Sequence, residues 1–438
     1  MYSCPIARAA QNSPQNLAIL SDEGAFPYQE LDSLIETKRK KLQTLGVKPS
    51  HRVAFIASSY VETIILFFAL LRLGAILCPL SFRLPPLALQ ERLAKLKADA
   101  FLENHTISSL RHTPSQPLPS AVCCLLFTSG SSAHPKIAAL SYDNFLASAT
   151  GSIPPCHLQE HSRWLLSLPL FHVGGIGILF RCILSHSCIV LSKEKPPRAL
   201  EQNKITHLSL VPTQLYRLLQ EPPAYKTLEC ILLGGAPIPP ELLVQAKKRN
   251  FPVFSTYGMT EMSSQITMDQ GKVLPFREVQ IASDGEILVK GKTLFKGYLQ
   301  EDMLFLPLID GWFATKDLGE WDASDNLVIK GRKDLLFISG GENISPEEIE
   351  RALCSLTGIY LAVVVPIPDE EYGERPFAFI HNTCGTSAEE IRERLLSVLP
   401  KFCIPKQIVS LPGDLVENSI KWDRKALRKL ALTTLLKS

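Results

Sequence analysis

Hydrophobic and polar positions along the chain follow two periods, one typical of helices and one typical of strands. Apolar residues at helical spacing predict an amphipathic helix over residues 30–45, which Gly46 closes, and a second, apolar helix over residues 61–73. Short apolar runs predict buried strands at 51–57 and 76–79. Helices and strands therefore alternate in this part of the chain.

The same rhythm continues toward the middle of the chain. Short apolar runs predict four more strands, at 162–168, 189–191, 207–211 and 229–233. Asp-Gly and Asp-Asn turns next to alternating residues predict hairpin strands at 279–289 and 327–329. Such alternation favours an α/β fold in which helices cover largely parallel sheets.

The chain changes character near Gly331-Arg332-Lys333-Asp334. Beyond this point the pattern predicts a small α+β unit, with helices at 346–356 and 388–399 and strands at 360–365 and 377–380. We therefore expect a large N-terminal domain over residues 1–331, a hinge at 332–334 and a small mobile C-terminal domain over residues 335–438.

One apolar segment, residues 61–80, is long enough to cross a membrane. It contains Glu62 and Arg72 and a Gly-Ala break, which fit a buried helix followed by a strand better. The first fifteen residues hold no apolar stretch suited to a secretion signal. We therefore expect a cytoplasmic protein without a membrane span.

The composition excludes several classes of protein. Hydrophobic residues make up 46% of the 438 residues and charged residues 20%, which is unlike a disordered chain. The formal net charge of +3 is too small for a strongly basic nucleic-acid-binding protein. The eleven cysteines are odd in number and include no C-x-x-C pair, so we expect reduced cysteines in the core.

A segment rich in hydroxyl groups follows the apolar strand predicted at 121–127. It reads TSGSSAHPK, from Thr128 to Lys136. Small residues let the backbone approach a phosphate, hydroxyl and N–H groups donate to its oxygens, and a lysine neutralises its charge. Pro135 stands where a Walker A loop needs glycine, so the segment is a different kind of phosphate loop or a polar surface turn.

Further motifs occur in the order found in the acyl-adenylate-forming enzymes, which include acyl-CoA synthetases, luciferases and the adenylation domains of peptide synthetases. The chain resembles this family over about 300 residues by its ordered motifs. They are TSGSSAHPK at 128–136, LPLFH at 168–172, GGA at 234–236, STYGMTE at 255–261, WFATKD at 312–317, GR at 331–332, SGGENI at 339–344 and KWDR at 421–424. Within the family, the segments LSLPLFHVGGIGI and FISGGENISPEEIE resemble the o-succinylbenzoate:CoA ligases of menaquinone biosynthesis.

The resemblance implies a reaction in two steps, with ATP, Mg²⁺ and CoA as co-substrates. A carboxylate first attacks the α-phosphate of ATP, and the thiol of CoA then displaces AMP from the acyl-adenylate. The implied partners are small molecules, namely a carboxylic acid, ATP and CoA, without nucleic acid, and a homo-oligomer stays open. Catalysis of the first step depends on positioning and charge neutralisation, because both reactants are anions.

The resemblance also assigns roles to residues. The phosphate loop would be formed by Thr128, Ser129, Gly130, Ser131, Ser132 and Lys136. The AMP site would add Gly234, Gly235, Ala236, Pro237, Ser255, Thr256, Tyr257, Gly258, Met259, Asp317 and Arg332, with Asp317 on the ribose hydroxyls. Thr260 would contact the α-phosphate and Glu261 would hold Mg²⁺. Lys421 would bridge the carboxylate and the α-phosphate, and with Thr260, Glu261 and Lys136 it forms the catalytic set.

The remaining assignments concern the acyl group, CoA and the hinge. His172 would gate the acyl pocket, and Ser339, Gly340 and Gly341 would line the CoA tunnel. Asp334 would be the hinge residue. A second carboxylate on the acid would need a cation, for which Arg181 and Arg217 are candidates. Arg181 lies in an apolar run, so it either reaches the surface or points into a polar site.

Four positions depart from the family pattern, namely Ala133, Tyr142, Lys316 and Ile420. Three readings therefore stay open. The first is a ligase for o-succinylbenzoate, the second is a CoA ligase for another aryl or medium-chain acid, and the third is an inactive nucleotide-binding homologue.

Overall fold

The computed structural model describes residues 4–58, 60–103, 106–110, 115–128, 135–194, 196–221, 225–413 and 423–435. Its described residues form a large N-terminal domain with three sheets and a small C-terminal domain with one sheet. The predicted α/β class is therefore confirmed. The helices are α1 Pro5–Asn12, α2 Tyr28–Thr44, α3 Val61–Leu73, α4 Pro86–Leu96, α5 Tyr142–Ser152, α6 Val173–Leu184, α7 Pro196–Gln202, α8 Pro212–Leu218, α9 Pro240–Lys248, α10 Pro346–Cys354, α11 Ala388–Leu396 and α12 Arg424–Leu435.

The first sheet has nine strands in the order β15-β14-β13-β12-β11-β9-β10-β1-β2. Its central strands are parallel, whereas β2, β14 and β15 are antiparallel to their neighbours. The strands are β1 Leu17–Ser21, β2 Gly24–Pro27, β9 Arg163–Leu165, β10 Cys188–Val190, β11 His207–Leu210, β12 Cys230–Leu233, β13 Val253–Met259, β14 Ser264–Met268 and β15 Lys272–Val273.

The second sheet has eight strands in the order β19-β18-β8-β7-β4-β3-β5-β6. Strands β5, β3, β4 and β7 are parallel, and the outer strands are antiparallel. The strands are β3 Arg52–Ile56, β4 Ile76–Leu80, β5 Ala100–Glu103, β6 Thr106–Leu110, β7 Val122–Phe127, β8 Ile137–Ser141, β18 Gly297–Gln300 and β19 Met303–Phe305.

The third sheet is antiparallel and contains the two hairpins that the Asp-Gly and Asp-Asn turns predict. Its strands are β16 Arg277–Ile281, β17 Glu286–Gly291, β20 Leu308–Ile309, β21 Trp312–Trp321 and β22 Leu327–Arg332. The small domain has a fourth sheet, in which β26 pairs with β23, β25 and β27. Its strands are β23 Phe337–Ser339, β24 Glu342–Ile344, β25 Ile359–Asp369, β26 Gly373–Asn382 and β27 Gln407–Ser410.

The main core lies between the first two sheets and contains α2, α3, α5 and α6. Helix α3 is buried on nearly every side, which explains why its sequence is apolar all round. It ends at Gly74, whose φ of +78° is left-handed, and the chain continues into the buried strand β4. The segment 61–80 is therefore the predicted buried helix and strand. Among the described residues, no helix combines the length and apolarity that a membrane span requires.

Two further clusters cover the outer faces of the large sheets, with α7, α8 and α9 on the first sheet and α4 on the second. In the small domain, α10 and α11 pack on one face of the sheet and α12 on the other. All eleven cysteines are described, and ten of them are buried as unpaired thiols, whereas Cys384 is exposed. The predicted core placement of the cysteines is therefore confirmed for all but Cys384.

The two domains touch at an aromatic contact. The Tyr216 ring on α8 lies 5.1 Å from the ring of Tyr360, and its hydroxyl is 3.2 Å from Nε2 of His381. Beside the link between the domains, the Arg351 guanidinium donates to the backbone oxygen of Lys330 at 2.6 Å. The small domain is therefore docked on the large domain in this structure.

Candidate active site

The two glycine-containing motifs of the large domain lie side by side. Strand β12 pairs in parallel with β13, so the turn that begins at Gly234 meets the STYGM segment. A Cβ atom on Gly234 would lie 2.5 Å from the backbone oxygen of Thr256, which no side chain tolerates. Close approach of the two backbones therefore explains glycine at this position. Strand β13 ends at Met259, and Thr260 and Glu261 follow in a single 3₁₀ turn.

A network of charged groups continues from β13 to the third sheet. The hydroxyl of Tyr257 donates to Oδ2 of Asp317 at 2.6 Å, and Arg332 lies 3.3 Å from the other oxygen of that carboxylate. Asp317 and Arg332 are cross-strand partners on β21 and β22, which fixes their separation. Arg332 also donates twice to Asp334, at 2.8 and 3.0 Å. The predicted ribose residues and the predicted hinge residue therefore form one connected group.

Burial and the neighbouring Asp317 carboxylate raise the pKa of Tyr257 well above its ordinary value. The hydroxyl therefore keeps its proton and donates a hydrogen bond to the Asp317 carboxylate. The hydrogen bonds to Asp334 raise the pKa of Arg332, so the guanidinium stays charged at neutral pH. An ionised carboxylate held in this way can accept hydrogen bonds from two vicinal hydroxyls of a ribose.

On the phosphate side, Tyr298 connects two predicted residues. Its hydroxyl donates to Oε1 of the buried Glu261 at 2.7 Å, and Nζ of Lys136 lies 4.5 Å from its ring centroid. The N–H of Thr128 donates to the backbone oxygen of Lys136 at 2.9 Å, so the ends of the phosphate loop are held together. Residues Ser129, Gly130, Ser131 and Ser132 lie outside the described residues.

The pairing of strands explains this arrangement. Strand β18 lies next to β8, and Tyr298 is the register partner of Ala138. The tyrosine hydroxyl donates to one oxygen of the Glu261 carboxylate, and among the described residues no hydrogen bond is made to the second oxygen. Carboxylate oxygen is the donor that Mg²⁺ prefers, so this residue fits a magnesium–nucleotide complex.

Arg181 is buried in the last turn of α6 and does not reach the surface, since only 2% of the residue is exposed. Its Nη1 donates to Oε1 of Gln265 at 2.9 Å, and its guanidinium carbon lies 4.6 Å from the Trp164 ring. A Cβ on Gly177 would lie 3.2 Å from Nη1, so glycine there makes room for the guanidinium.

The charge of Arg181 has no counterion in the described part of the chain. No carboxylate there lies within ion-pair distance, and Nε, although buried, has no hydrogen-bond partner. Burial lowers the pKa of the Arg181 guanidinium, because the charged form loses its hydration. Of the two possibilities that the sequence leaves open, the structure therefore excludes the surface and places the side chain in the interior, next to the amide of Gln265.

The other two residues predicted to bind the acyl group, His172 and Arg217, lie in different surroundings from Arg181. His172 directly precedes α6, and its ring lies 4.6 Å from the ring of Phe171, which in turn contacts Phe82. Arg217 is exposed on α8 and does not join the buried group around Arg181. Of the two arginine candidates, only Arg181 is therefore enclosed.

The predicted CoA and lysine segments belong to the small domain. Gly340 and Gly341 form the turn between β23 and β24 with φ of +59° and +89°, and Ser339 before them is buried. Lys421 lies outside the described residues. Arg424, which follows it by three positions, lines an interdomain cavity together with Ala236 and Pro237 of the adenine turn.

Three residues of this region were absent from the sequence predictions, namely Tyr298, Gln265 and Trp164. Tyr298 reaches the site because β18 pairs with the distant strand β8, whereas Gln265 lies on β14 next to the neighbouring strand β13 and Trp164 lies on β9 next to β11. No motif in the sequence marks these three residues.

Two profiles of known protein families match most of the chain. The family profile described as AMP-binding enzyme matches residues 6–116 and 103–299, and that described as AMP-binding enzyme C-terminal domain matches 348–418. The 2-succinylbenzoate–CoA ligase of Escherichia coli (strain K12) is 33% identical over 437 residues, covering 95% of each chain.

Solved structures agree with these matches. The o-succinylbenzoate CoA synthetase of Bacillus subtilis in complex with the acyl-adenylate intermediate OSB-AMP is 27% identical, with a TM-score of 0.84 and coverage of 97% of this chain and 98% of that one. The same enzyme in complex with ATP and magnesium ion is 27% identical, with a TM-score of 0.82 and coverage of 93% and 95%.

Proposed function

Because this chain belongs to the AMP-binding enzyme family, we propose that it is an AMP-forming acid–thiol ligase that converts 2-succinylbenzoate and CoA to the thioester at the expense of ATP. The name shared by relatives that match nearly the whole chain supports this activity. One structural observation supports the choice of acid. Arg181 is buried without a carboxylate partner among the described residues, which suits a substrate with a second negative charge, and 2-succinylbenzoate carries one on its ring.

The first step is attack of the succinyl carboxylate on the α-phosphate of ATP, with pyrophosphate as the leaving group. We assign the ribose to Asp317 and Arg332, the adenine to the turn at 234–237, and the phosphates to Thr128, Lys136 and the loop between them. Bound Mg²⁺ would neutralise charge on the phosphates, and Glu261 would hold it. Thr260 would contact the α-phosphate, and Lys421 would draw the two anionic reactants together.

The second step is displacement of AMP by the thiol of CoA. We propose that the small domain turns at residues 332–334 between the steps and presents Ser339, Gly340 and Gly341 to the site. Arg424 lies beside the adenine turn, and three residues of extended chain span at most about 11 Å. This proximity fits an orientation in which Lys421 serves the first step. The buried thiols fit a cytoplasmic location, which we also propose.

The test is acid-dependent exchange of pyrophosphate into ATP, measured across a panel of acids. We expect 2-succinylbenzoate to give the highest kcat/KM, with 4-oxo-4-phenylbutanoate, which lacks the ring carboxylate, lower by about 10²-fold. If benzoate or octanoate exceeds 2-succinylbenzoate by orders of magnitude, the substrate assignment is wrong. If no acid supports exchange, the chain is an inactive homologue.

A further inference from the structure

The buried arginines of this chain are held in different ways. In the described part of the chain, they are Arg52, Arg181 and Arg277. Arg52 forms an ion pair with Asp302 at 2.6 Å, and Arg277 donates from all three of its nitrogens to backbone oxygens. Among the described residues, the side chain of Arg181 makes one hydrogen bond, to the amide of Gln265. Arg181 is therefore the buried arginine whose charge and donors are least used by the protein itself.

The second partner of Arg181 is the ring of Trp164, which is also neutral. The guanidinium carbon lies 4.6 Å from this ring, within the range of a cation–π contact. Such a contact uses the face of the indole and no N–H group of the arginine, so the remaining donors stay available for an anion. A carboxylate would fix the guanidinium equally well but would cancel its charge. The indole and the amide therefore hold the cation in place without neutralising it.

The ring of Trp164 is itself fixed by the neighbouring strand. Trp164 on β9 is the register partner of His207 on β11, and the centroids of the two rings are 5.2 Å apart. Nε1 of Trp164 donates to Oγ of Ser209 at 3.3 Å, and the residue is fully buried. Because these contacts with the sheet fix the indole, the indole determines where the guanidinium of Arg181 lies.

His207 leaves this group without a second cation. Its Nε2 lies 2.8 Å from the backbone oxygen of Cys156, and its Nδ1 lies 2.7 Å from Oγ1 of Thr206. A backbone oxygen only accepts, so we assign the proton to Nε2, and Nδ1 accepts from the hydroxyl. Burial lowers the pKa of His207 to about 4, so the imidazole is neutral at neutral pH. The charge of Arg181 therefore stays the one that an acid with a second carboxylate can meet.

We propose that Trp164 is the positioning residue for Arg181 and thereby determines selectivity for acids that carry a second carboxylate. It acts through the guanidinium and not by contact with the reacting atoms. This inference rests on the proposed function, in which Arg181 meets the ring carboxylate of 2-succinylbenzoate. Loss of the indole face should therefore weaken binding of this acid and leave the chemical step unchanged.

The test measures acid-dependent exchange of pyrophosphate into ATP for Trp164→Phe and Trp164→Leu, with 2-succinylbenzoate and with 4-oxo-4-phenylbutanoate. A benzene ring is a weaker partner for a cation than an indole, and leucine has no ring. We expect KM for 2-succinylbenzoate to rise about threefold in Trp164→Phe and about tenfold in Trp164→Leu, with kcat within about twofold. KM for 4-oxo-4-phenylbutanoate should stay within about twofold in both variants.

Phe180→Leu is the matched control on α6. Phe180 directly precedes Arg181, is fully buried, and stacks on the ring of Phe145 at 5.1 Å. Loss of this ring should lower the free energy of unfolding, but the ratio of the two KM values should stay within about twofold. Equal increases in both KM values for the Trp164 variants, or the same loss of selectivity in the control, would assign the effect to packing alone. Either result overturns the proposal, as does unchanged selectivity in the Trp164 variants.

Ser209→Ala provides the same readout if neither Trp164 variant folds. It releases the indole N–H and leaves the ring in place, so we expect KM for 2-succinylbenzoate alone to rise about twofold, and no rise would contradict the proposal.

Failure of the proposed function gives a different result. It would appear as a lack of exchange with every acid in the unaltered enzyme, or as an Arg181→Met variant that keeps its selectivity. Trp164 variants that keep their selectivity while Arg181→Met loses it would overturn the role of Trp164 alone.

Discussion

The ribose side and the acyl side of the candidate site differ in how their charges are paired. On the ribose side, Tyr257, Asp317, Arg332 and Asp334 hold one another through hydrogen bonds and ion pairs. On the acyl side, Arg181 is buried against a tryptophan ring and an amide, without a carboxylate in the described residues. One half of the site is complete before any ligand binds, and the other half is not.

This difference has a physical consequence for stability and selectivity. Paired and hydrogen-bonded charges are preorganised, so the ribose hydroxyls meet a carboxylate that needs no further ordering. A buried charge without a partner destabilises the folded protein until an anion arrives. We therefore expect substitutions on the ribose side to reduce both stability and nucleotide use, and substitution of Arg181 on the acyl side to change the choice of acid without a loss of stability.

The largest effect is expected for Lys421, the proposed catalytic lysine, which lies outside the described residues and belongs to neither the ribose side nor the acyl side. Lys421→Ala should lower the rate of acyl-adenylate formation by about 10³-fold, because one positive charge near the reacting anions is lost. The thioester half-reaction from purified acyl-adenylate should stay within about threefold. Rapid-quench measurement of AMP and thioester checks both. Equal losses in the two half-reactions would contradict the assigned role.

The second largest effect is expected on the acyl side, where substitution of Arg181 removes the buried unpaired charge. Arg181→Met should lower kcat/KM for 2-succinylbenzoate by about 10²-fold, because the ring carboxylate loses its partner. It should leave 4-oxo-4-phenylbutanoate nearly unchanged. The midpoint of thermal unfolding should stay the same or rise, since an unpaired buried charge is removed. Arg217→Met is the matched variant on an exposed position, and a selective loss there instead would make Arg217 the partner.

A smaller effect is expected on the ribose side. Tyr257→Phe removes the hydrogen bond to Asp317 and should raise KM for ATP about fivefold while lowering the free energy of unfolding by about 1.5–3 kcal/mol. Steady-state kinetics and denaturant titration measure the two changes. Selectivity between the two acids should not change. A shift in selectivity without a loss of stability would remove the distinction between the two sides.

The smallest effect concerns the residue before Asp317. Lys316 has a φ of +65°, a left-handed conformation that glycine adopts without strain. Lys316→Gly should therefore stabilise the protein by about 1 kcal/mol. Lys296→Gly, at an exposed position without a positive φ, should destabilise it in the same denaturant titration. Destabilisation by both variants would show that the left-handed backbone at Lys316 carries no strain.

Local pattern was sufficient for much of the fold. The helix predicted at 61–73 has the observed ends, and the Asp284-Gly285 turn joins the predicted hairpin. The strand predicted at 51–57 is shorter by one residue at each end, although His51 and Ala57 still share backbone hydrogen bonds with Ile76 and Leu80 of β4. Elements of this kind depend on residues near one another in sequence, so the spacing of their hydrophobic residues predicts them.

Less of the candidate site could be predicted from the sequence, because it depends on pairing between distant strands. Tyr298 reaches Glu261 because β18 pairs with β8, about 160 positions earlier in the chain. The apolar surroundings of Arg181 left two placements open, and only the positions of Trp164 and Gln265 decide between them. The replacement of glycine by Lys316 was visible in sequence, whereas its left-handed backbone needed the structure. The roles assigned to individual residues stay predictions.

The distribution of thiols has a practical consequence. Cys384 follows β26 in the small domain and is the one exposed cysteine among the eleven. A maleimide dye should therefore attach at a single place without any engineered substitution. Fluorescence from that dye, recorded while nucleotide, acid and CoA are added in turn, would test in real time whether the small domain moves as proposed.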